Sequence, residues 1–336
     1  MSTNTEMKIC LVTGTAGFVG SHLSERLISL GYVVVGVDCF TDYYERSIKE
    51  QNLERLLTQE RFTFFPADLL ELDLPGLLSG TMAPYAGGRK TRVDFIFHLA
   101  AQAGVRASWG RSFEIYTRNN ILATQRLLEA AREVPPTKFV YASSSSVYGD
   151  AESYPTTEDL TPQPISPYGV SKLAGEHLCM LYWRNYRVPT AALRYFTVYG
   201  PRQRPDMGFH RFIRAILQDN EIEVYGDGEQ TRDFTYVDDA VQGTVAAALA
   251  EDCGQVFNIG GGSRVTVNRV ICSLESVLQR KAKVNYIAEQ KGDVRHTSAD
   301  ISKATRLLRY QPTVPLEEGL AREAAWLQDI LLAAAK

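Results

Sequence analysis

The chain has 336 residues, of which 45% are hydrophobic and 22% charged, and its 36 Lys and Arg against 39 Asp and Glu leave a formal charge of −3. Such a balance suits one large or two modest globular domains and excludes a disordered chain or a fibrous rod. It also lacks the basic excess of a dedicated nucleic-acid binder, so any phosphate must be met by locally placed groups. Five dispersed cysteines without a C-x-x-C pair, and five dispersed histidines without H-E-x-x-H, give neither a disulfide framework nor a metal site. Residues 1–8 are polar, and no apolar run approaches the roughly 18 residues of a membrane span. The expectation is a cytoplasmic protein with no membrane or nucleic-acid partner.

In chain order, residues 8–13 (KICLVT) form a β-rich run that enters Gly14-Thr-Ala-Gly17-Phe18-Val19-Gly20. A helical pattern follows, with Val19, Leu23, Leu27 and Leu30 on one face and a stop at Gly31. A second strand at 33–37 ends at Asp38. The alternation continues with strands at 62–65, 93–99, 138–143 and 189–195 and helices at 115–133 and 168–184, while 75–92 reads as an irregular insertion. Strands alternating with helices predict right-handed βαβ units and a parallel sheet covered on both faces. The fold class is therefore α/β, a Rossmann-like doubly wound parallel sheet with a smaller mixed α/β lobe. After about residue 195 turn-rich stretches break the rhythm. That places a first domain at 1–195, with a returning segment near 233–258, and a second lobe mostly at 196–336. The spacing of Leu320, Ala324, Leu327 and Leu331 predicts a packing helix over 316–332.

Glycines between a strand and a helix allow a tight turn and close approach of a pyrophosphate, whose charge the helix amides receive. The spacing here is G-x-x-G-x-x-G, with Phe18 and Val19 inside it. Asp38, ending the second strand, can accept hydrogen bonds from both hydroxyls of an adenosine ribose, and its charge opposes a 2′-phosphate, which favours NAD over NADP. Asp68, with Leu69 beside it, is placed to meet the adenine. His98-Leu-Ala100-Ala101 ends the fourth strand with small residues; His98 itself reads as a packed histidine.

Tyr168 and Lys172 form Y-x-x-x-K, one helical turn apart on one face. Beside a lysine cation and a nicotinamide cation the phenol is expected to ionise below its ordinary pKa of about 10. The hydroxyl cluster Ser143-Ser144-Ser145-Ser146 lies at the carboxyl end of the fifth strand, where open α/β sheets bind ligands.

The set T-G-x-x-G-F-x-G, H-L-A-A, S-S-S-x-V-Y-G, S-P-Y-G-x-S-K, L-R-Y-F and R-D-F-T-Y-V-D-D resembles the extended short-chain dehydrogenase/reductase family, over about residues 8–330. These are nucleotide-sugar epimerases, dehydratases and decarboxylases with tightly held NAD. The resemblance implies that Ser144 binds the sugar O4, Tyr168 is the base, and Lys172 orients the nicotinamide ribose. It also puts Ala100, Ala101, Asn119, Ser143 and Tyr195 near the cofactor.

Dehydratases of the family resemble T-D-E-V-Y-G at the serine cluster, and decarboxylases carry a Glu before V-Y-G. Here Ser145 and Ser146 stand instead, and a serine is neither a useful acid nor a useful base near neutrality. The stretches D-C-F-T-D-Y-Y-E, A-A-Q-A-G-V-R and Y-F-T-V-Y-G-P-R-Q-R-P-D-M are similar to the UDP-glucuronate 4-epimerase subfamily. The resemblance thus implies an isomerase that turns UDP-glucuronate into UDP-galacturonate through a 4-keto intermediate. Ser145, Ser146 and Thr197 with one arginine, Arg204 or its competitor Arg202, would hold the sugar carboxylate. Arg232 and Arg295 match positions that meet the pyrophosphate, and Asp293 matches a ribose-binding acid. A homodimer through the helices near 115–133 and 168–184 is also implied. Rival readings are a 4-epimerase of neutral or N-acetylated UDP-sugars, and a non-catalytic NAD-binding protein.

Overall fold

The computed structural model describes residues 7–82, 92–290 and 292–334. The polar residues 1–6 and positions 83–91 of the expected insertion lie outside the described residues.

The strands are β1 (Ile9–Thr13), β2 (Val33–Asp38), β3 (Phe62–Pro66), β4 (Phe95–His98), β5 (Lys138–Ser144), β6 (Thr190–Tyr195), β7 (Thr197–Tyr199), β8 (Glu221–Tyr225), β9 (Thr231–Tyr236), β10 (Gln255–Ile259), β11 (Arg264–Thr266) and β12 (Lys283–Ile287). The helices are α1 (Phe18–Ser29), α2 (Arg46–Leu57), α3 (Leu74–Leu78), α4 (Phe113–Tyr116), α5 (Ala123–Glu133), α6 (Pro167–Tyr186), α7 (Gly208–Leu217), α8 (Val237–Leu249), α9 (Val267–Leu278), α10 (Ser302–Leu308) and α11 (Leu316–Ala334).

Seven parallel strands form the main sheet in the order β10-β6-β5-β4-β1-β2-β3. Alternate residues of its strands feed opposite cores. Cys10, Val12 and Phe97 pack with Leu23 and Leu27 of α1 and with Val241 of α8, whereas Leu11, Ile96 and Phe139 pack with Leu77 of α3, Leu127 of α5 and Cys179 of α6. The apolar runs read in the sequence are continuous because both faces are covered. The order reverses between β1 and β4, which opens a crevice at their carboxyl ends.

Strand β7 leaves the main sheet to pair with β9, which also pairs with β11, and β8 pairs with β12. Helix α11 lays Leu320, Ala324 and Leu327 into the core, as their spacing predicts.

Three local expectations change. Leu30 does not join the buried face of α1: it follows the helix end and is 44% exposed, and Gly31 turns the chain at φ 91°. Part of the expected insertion is ordered as α3, because Asp73 caps it by accepting a hydrogen bond from the Gly76 amide at 3.1 Å. The expected helix 115–133 is interrupted by a π-helical turn at Thr117–Leu122. The wider turn rotates Asn119 toward the crevice while Asn120 is buried against the loop after β4.

Candidate active site

A cleft of about 740 Å³ opens at the carboxyl ends of the parallel strands. The turn after β1 is built from glycines for steric reasons. Gly14 has φ +75°, and a Cβ there would lie 2.8 Å from the Ala100 amide nitrogen; a Cβ on Gly20 would collide with the Gly14 carbonyl. Gly17 caps α1 without a side chain, so the first amides of the helix have no side-chain partner at the cleft wall formed by Gly14, Gly17, Phe18, Val19 and Gly20.

Asp38 enters the same wall. Its carboxylate accepts hydrogen bonds from the amides of Ala16 (3.1 Å) and Phe40 (2.9 Å), and burial pushes its pKa up against them. Asp68, beside Leu69, pairs with Arg118 at 2.8 Å. The Ala100 amide donates to Thr13 Oγ1 at 3.2 Å, which holds Ala100 and Ala101 close to the glycine turn. Asn119 and Ser143 also line the cleft, as does Tyr195, whose hydroxyl lies 2.6 Å from Thr244 Oγ1.

Helix α6 begins at Pro167 with Ser166 as its cap, Oγ accepting from the Gly169 amide at 3.1 Å. This fixed start sets Tyr168 and Lys172 into the cleft. Lys172 is 5% exposed and donates to the Ala142 carbonyl at 2.8 Å; burial pulls its amine down to about 7. Ser144 ends β5 and accepts from the Ser146 amide at 3.1 Å, within a single 3-10 turn that carries Ser145 and Ser146. In the cofactor-free chain burial raises the Tyr168 phenol, against a hydrogen bond with Ser144 and the Arg204 charge that lower it.

His98 is buried between Thr13 (2.7 Å) and Thr124 (2.9 Å), and burial lowers its pKa to about 3. It is a packed histidine, as its strand-end position suggests.

On the opposite wall stand Thr197, Arg204, Arg232 and Asp293. Arg204 makes a two-point pair with Asp206, Nε to Oδ1 at 2.9 Å and Nη2 to Oδ2 at 3.0 Å. Arg202 is turned away from the cleft and pairs with Glu25 at 2.8 Å. Asp293 pairs with Arg106 at 2.6 Å. Arg295 departs from its expected place: its side chain leaves the cleft for Asp227 (2.7 Å) and Glu289 (3.4 Å), and only its carbonyl reaches Arg232, at 3.1 Å. The two carboxylates outside draw the guanidinium out.

Sequence reasoning assigned no role to several residues that organise this site. Tyr43, Arg106 and Asp206 all fall inside motifs read only as subfamily signatures. Asn120 gave no signal because its work is internal: it accepts from the Gln102 amide (2.7 Å) and donates to the Gln102 carbonyl (3.0 Å) and to Ser171 Oγ (2.8 Å), which in turn donates to the Tyr168 carbonyl (2.7 Å). Among the described residues no cluster of His, Cys, Asp and Glu is placed to hold a metal ion, and no helix is long and apolar enough to cross a membrane.

A doubly wound sheet with a glycine-turn cradle, a strand-end Asp, and Ser, Tyr and Lys at the switch point defines a dinucleotide-dependent enzyme class. Residues 10–260 match the NAD dependent epimerase/dehydratase family, and the chain belongs to it. It is 46% identical to the uncharacterized UDP-glucose epimerase YtcB of Bacillus subtilis (strain 168), over 96% of this chain and 99% of that protein. It is 39% identical to the UDP-glucuronate 4-epimerase of Thermodesulfobacterium geofontis (strain OPF15), over 95% and 96%. Among solved structures it superposes with TM-score 0.90 on the UDP-glucuronic acid 4-epimerase of Bacillus cereus in complex with UDP-glucuronic acid and NAD, at 46% identity, covering 96% of this chain and all of that one.

Proposed function

We propose that this chain is an NAD-dependent isomerase that interconverts UDP-glucuronate and UDP-galacturonate by redox-neutral 4-epimerisation. The observation that carries the reading is Arg204, which lines the same cleft as the hydroxyls of Ser144, Ser145, Ser146 and Thr197 and whose charge acts on Tyr168. That is a receptor for a sugar carboxylate next to the group that handles its C4 hydroxyl.

The cleft fits NAD. The Gly14–Gly20 turn leaves no room for side chains where a pyrophosphate would approach, and Asp38 offers a carboxylate to a ribose diol and opposes a 2′-phosphate. Phe18, Val19, Asp68, Leu69, Ala100, Ala101, Asn119, Ser143 and Tyr195 complete that half of the cleft. When bound, NAD supplies a hydride acceptor that returns the same hydride. Tyr168 then takes and gives back the proton of the C4 hydroxyl, Ser144 holds O4, and Lys172 orients the cofactor ribose. Between the two proton transfers the 4-keto ring turns about its link to the pyrophosphate and offers its other face. Arg232 holds the pyrophosphate and Asp293 the uridine ribose. A 4-keto uronate is a β-keto acid prone to lose CO₂, and a fixed ionised carboxylate resists that loss. The two carboxylates on this wall, Asp206 and Asp293, are both ion-paired, which is poor provision for water elimination.

In this reading residues 1–195, with a returning segment near 233–258, form the NAD domain, and 196–336 mostly form the UDP-sugar lobe. A homodimer is supported by apolar side chains exposed on the helices expected to meet, among them Ile115, Leu122, Val170 and Leu181. A cytoplasmic location suits five cysteines that are all free.

The second reading, a 4-epimerase of neutral UDP-sugars, is favoured by the name of the Bacillus subtilis relative. Thr197, where many neutral-sugar epimerases carry Asn, and Arg204 weigh against it. Steady-state kinetics on both sugars separate the two. A charged hydrogen-bonded pair makes kcat/KM for UDP-glucuronate about tenfold or more above that for UDP-glucose; the reverse order would establish the neutral-sugar enzyme.

A further inference from the structure

Arg204 is not a free cation waiting for a substrate. Its side chain is 20% exposed and its Nε–Nη2 edge is taken by Asp206. Asp206 is in turn held from the other half of the cleft, where the Tyr43 hydroxyl donates to Oδ2 at 3.2 Å and the Tyr43 ring lies 5.8 Å from the Arg204 guanidinium. Gly104 makes this reach possible, because a Cβ there would collide with the Tyr43 hydroxyl. The Nη1 nitrogen of Arg204 has no protein hydrogen bond among the described residues, and Arg204 lines the cleft.

A carboxylate on C5 is bonded next to the reacting carbon and must move when the ring turns. If Arg204 had no other counter-ion, every turn would strand a largely buried cation, which is costly. Asp206 removes that cost because Arg204 stays paired whether or not the sugar is engaged. We infer that Asp206, pinned by Tyr43, is a positioning residue that tempers Arg204, so that the substrate carboxylate is recognised yet released while the 4-keto ring turns. This inference rests on the reading of Arg204 as the carboxylate receptor.

The test is the split between KM and kcat in the NAD-loaded Asp206→Asn enzyme. With the competing charge gone, KM for UDP-glucuronate falls about tenfold and kcat falls by a similar factor, while KM for UDP-glucose does not fall. Tyr43→Phe loosens the same carboxylate from the cofactor side and moves both constants in the same directions by less, which keeps the test open should Asp206→Asn fold poorly. A rise in KM for UDP-glucuronate, an unchanged kcat, or a fall in KM for both sugars overturns the inference. Arg204→Met separates the two levels. If it keeps the preference for UDP-glucuronate, the receptor reading fails; if it abolishes the preference while Asp206→Asn shows no split, the tempering role alone fails.

Discussion

Glu176 and Arg194 form a buried two-point ion pair under the floor of the cleft, with Nη2 to Oε1 at 2.5 Å and Nε to Oε2 at 3.0 Å. Ser143 donates to the same Oε2 at 2.9 Å, so the pair ties β5, α6 and β6 together beneath Tyr168. Both side chains are 4% exposed. Removing one partner leaves an uncompensated buried charge, and Glu176→Gln is expected to lose about 3 kcal/mol of stability in urea denaturation. Replacing both, as Glu176→Leu with Arg194→Met, costs less than the single change. If the double variant proved the weaker of the two, the pair would be a net source of stability after all.

Lys172 gives the cofactor-free protein a pH signature. Its amine titrates at about 7 in the folded chain against 10.5 ordinarily, with burial as the leading cause. Below pH 7 both folded and unfolded chains carry the charge, and the folded state bears the whole cost of burying it. As pH rises from 7 toward 10.5 the folded chain is already neutral while the unfolded chain still binds the proton, so that cost is relieved. Lys172→Met therefore stabilises most near pH 6 and least near pH 10, and the gap closes by about 4 kcal/mol. Melting curves across that window read it directly; a constant gap would mean that Lys172 is not buried as a charge.

Asp38 sets cofactor choice. Loss of two charged hydrogen bonds to a ribose diol makes Asp38→Ala bind NAD about 100-fold more weakly, by titration calorimetry on stripped protein. The same change narrows the gap between NAD and NADP, because the repulsion of a 2′-phosphate goes with the carboxylate. An unchanged NAD affinity would remove Asp38 from the site.

Tyr168→Phe removes the proton carrier and leaves the ring's edge-to-face contact with Tyr116, at 6.2 Å, available. Turnover is expected to fall about 1,000-fold or more, with UDP-sugar binding nearly unchanged. Near-normal turnover would show that another group handles the C4 proton.

The large sheet was legible because fully buried parallel strands announce themselves as apolar runs, and glycine turns mark where they meet helices. The cleft's cofactor wall was legible for the same reason: Gly14, Gly17, Gly20 and Asp38 each answer a local constraint. What escaped depends on pairing across the chain. Asp206 and Tyr43 stand far apart in sequence, and whether Arg202 or Arg204 faces the cleft is decided by Glu25 and Asp206, their counter-ions in space. Arg295, matched to the pyrophosphate by position, pairs in space with Asp227 and Glu289 of other segments. Nor does the Y-x-x-x-K spacing show burial, which acts on Tyr168 and Lys172 at once. The π turn at Thr117–Leu122 leaves no mark in a helical periodicity read at ordinary pitch.

Inversion at C4 of a UDP-hexuronate with its carboxylate kept is read by incubating the purified protein with UDP-glucuronate and following the sugar signals by proton NMR. UDP-galacturonate is expected to appear and to approach a fixed ratio with UDP-glucuronate, with no CO₂ released. A UDP-pentose product, or an unchanged UDP-glucuronate spectrum alongside turnover of UDP-glucose, would contradict it.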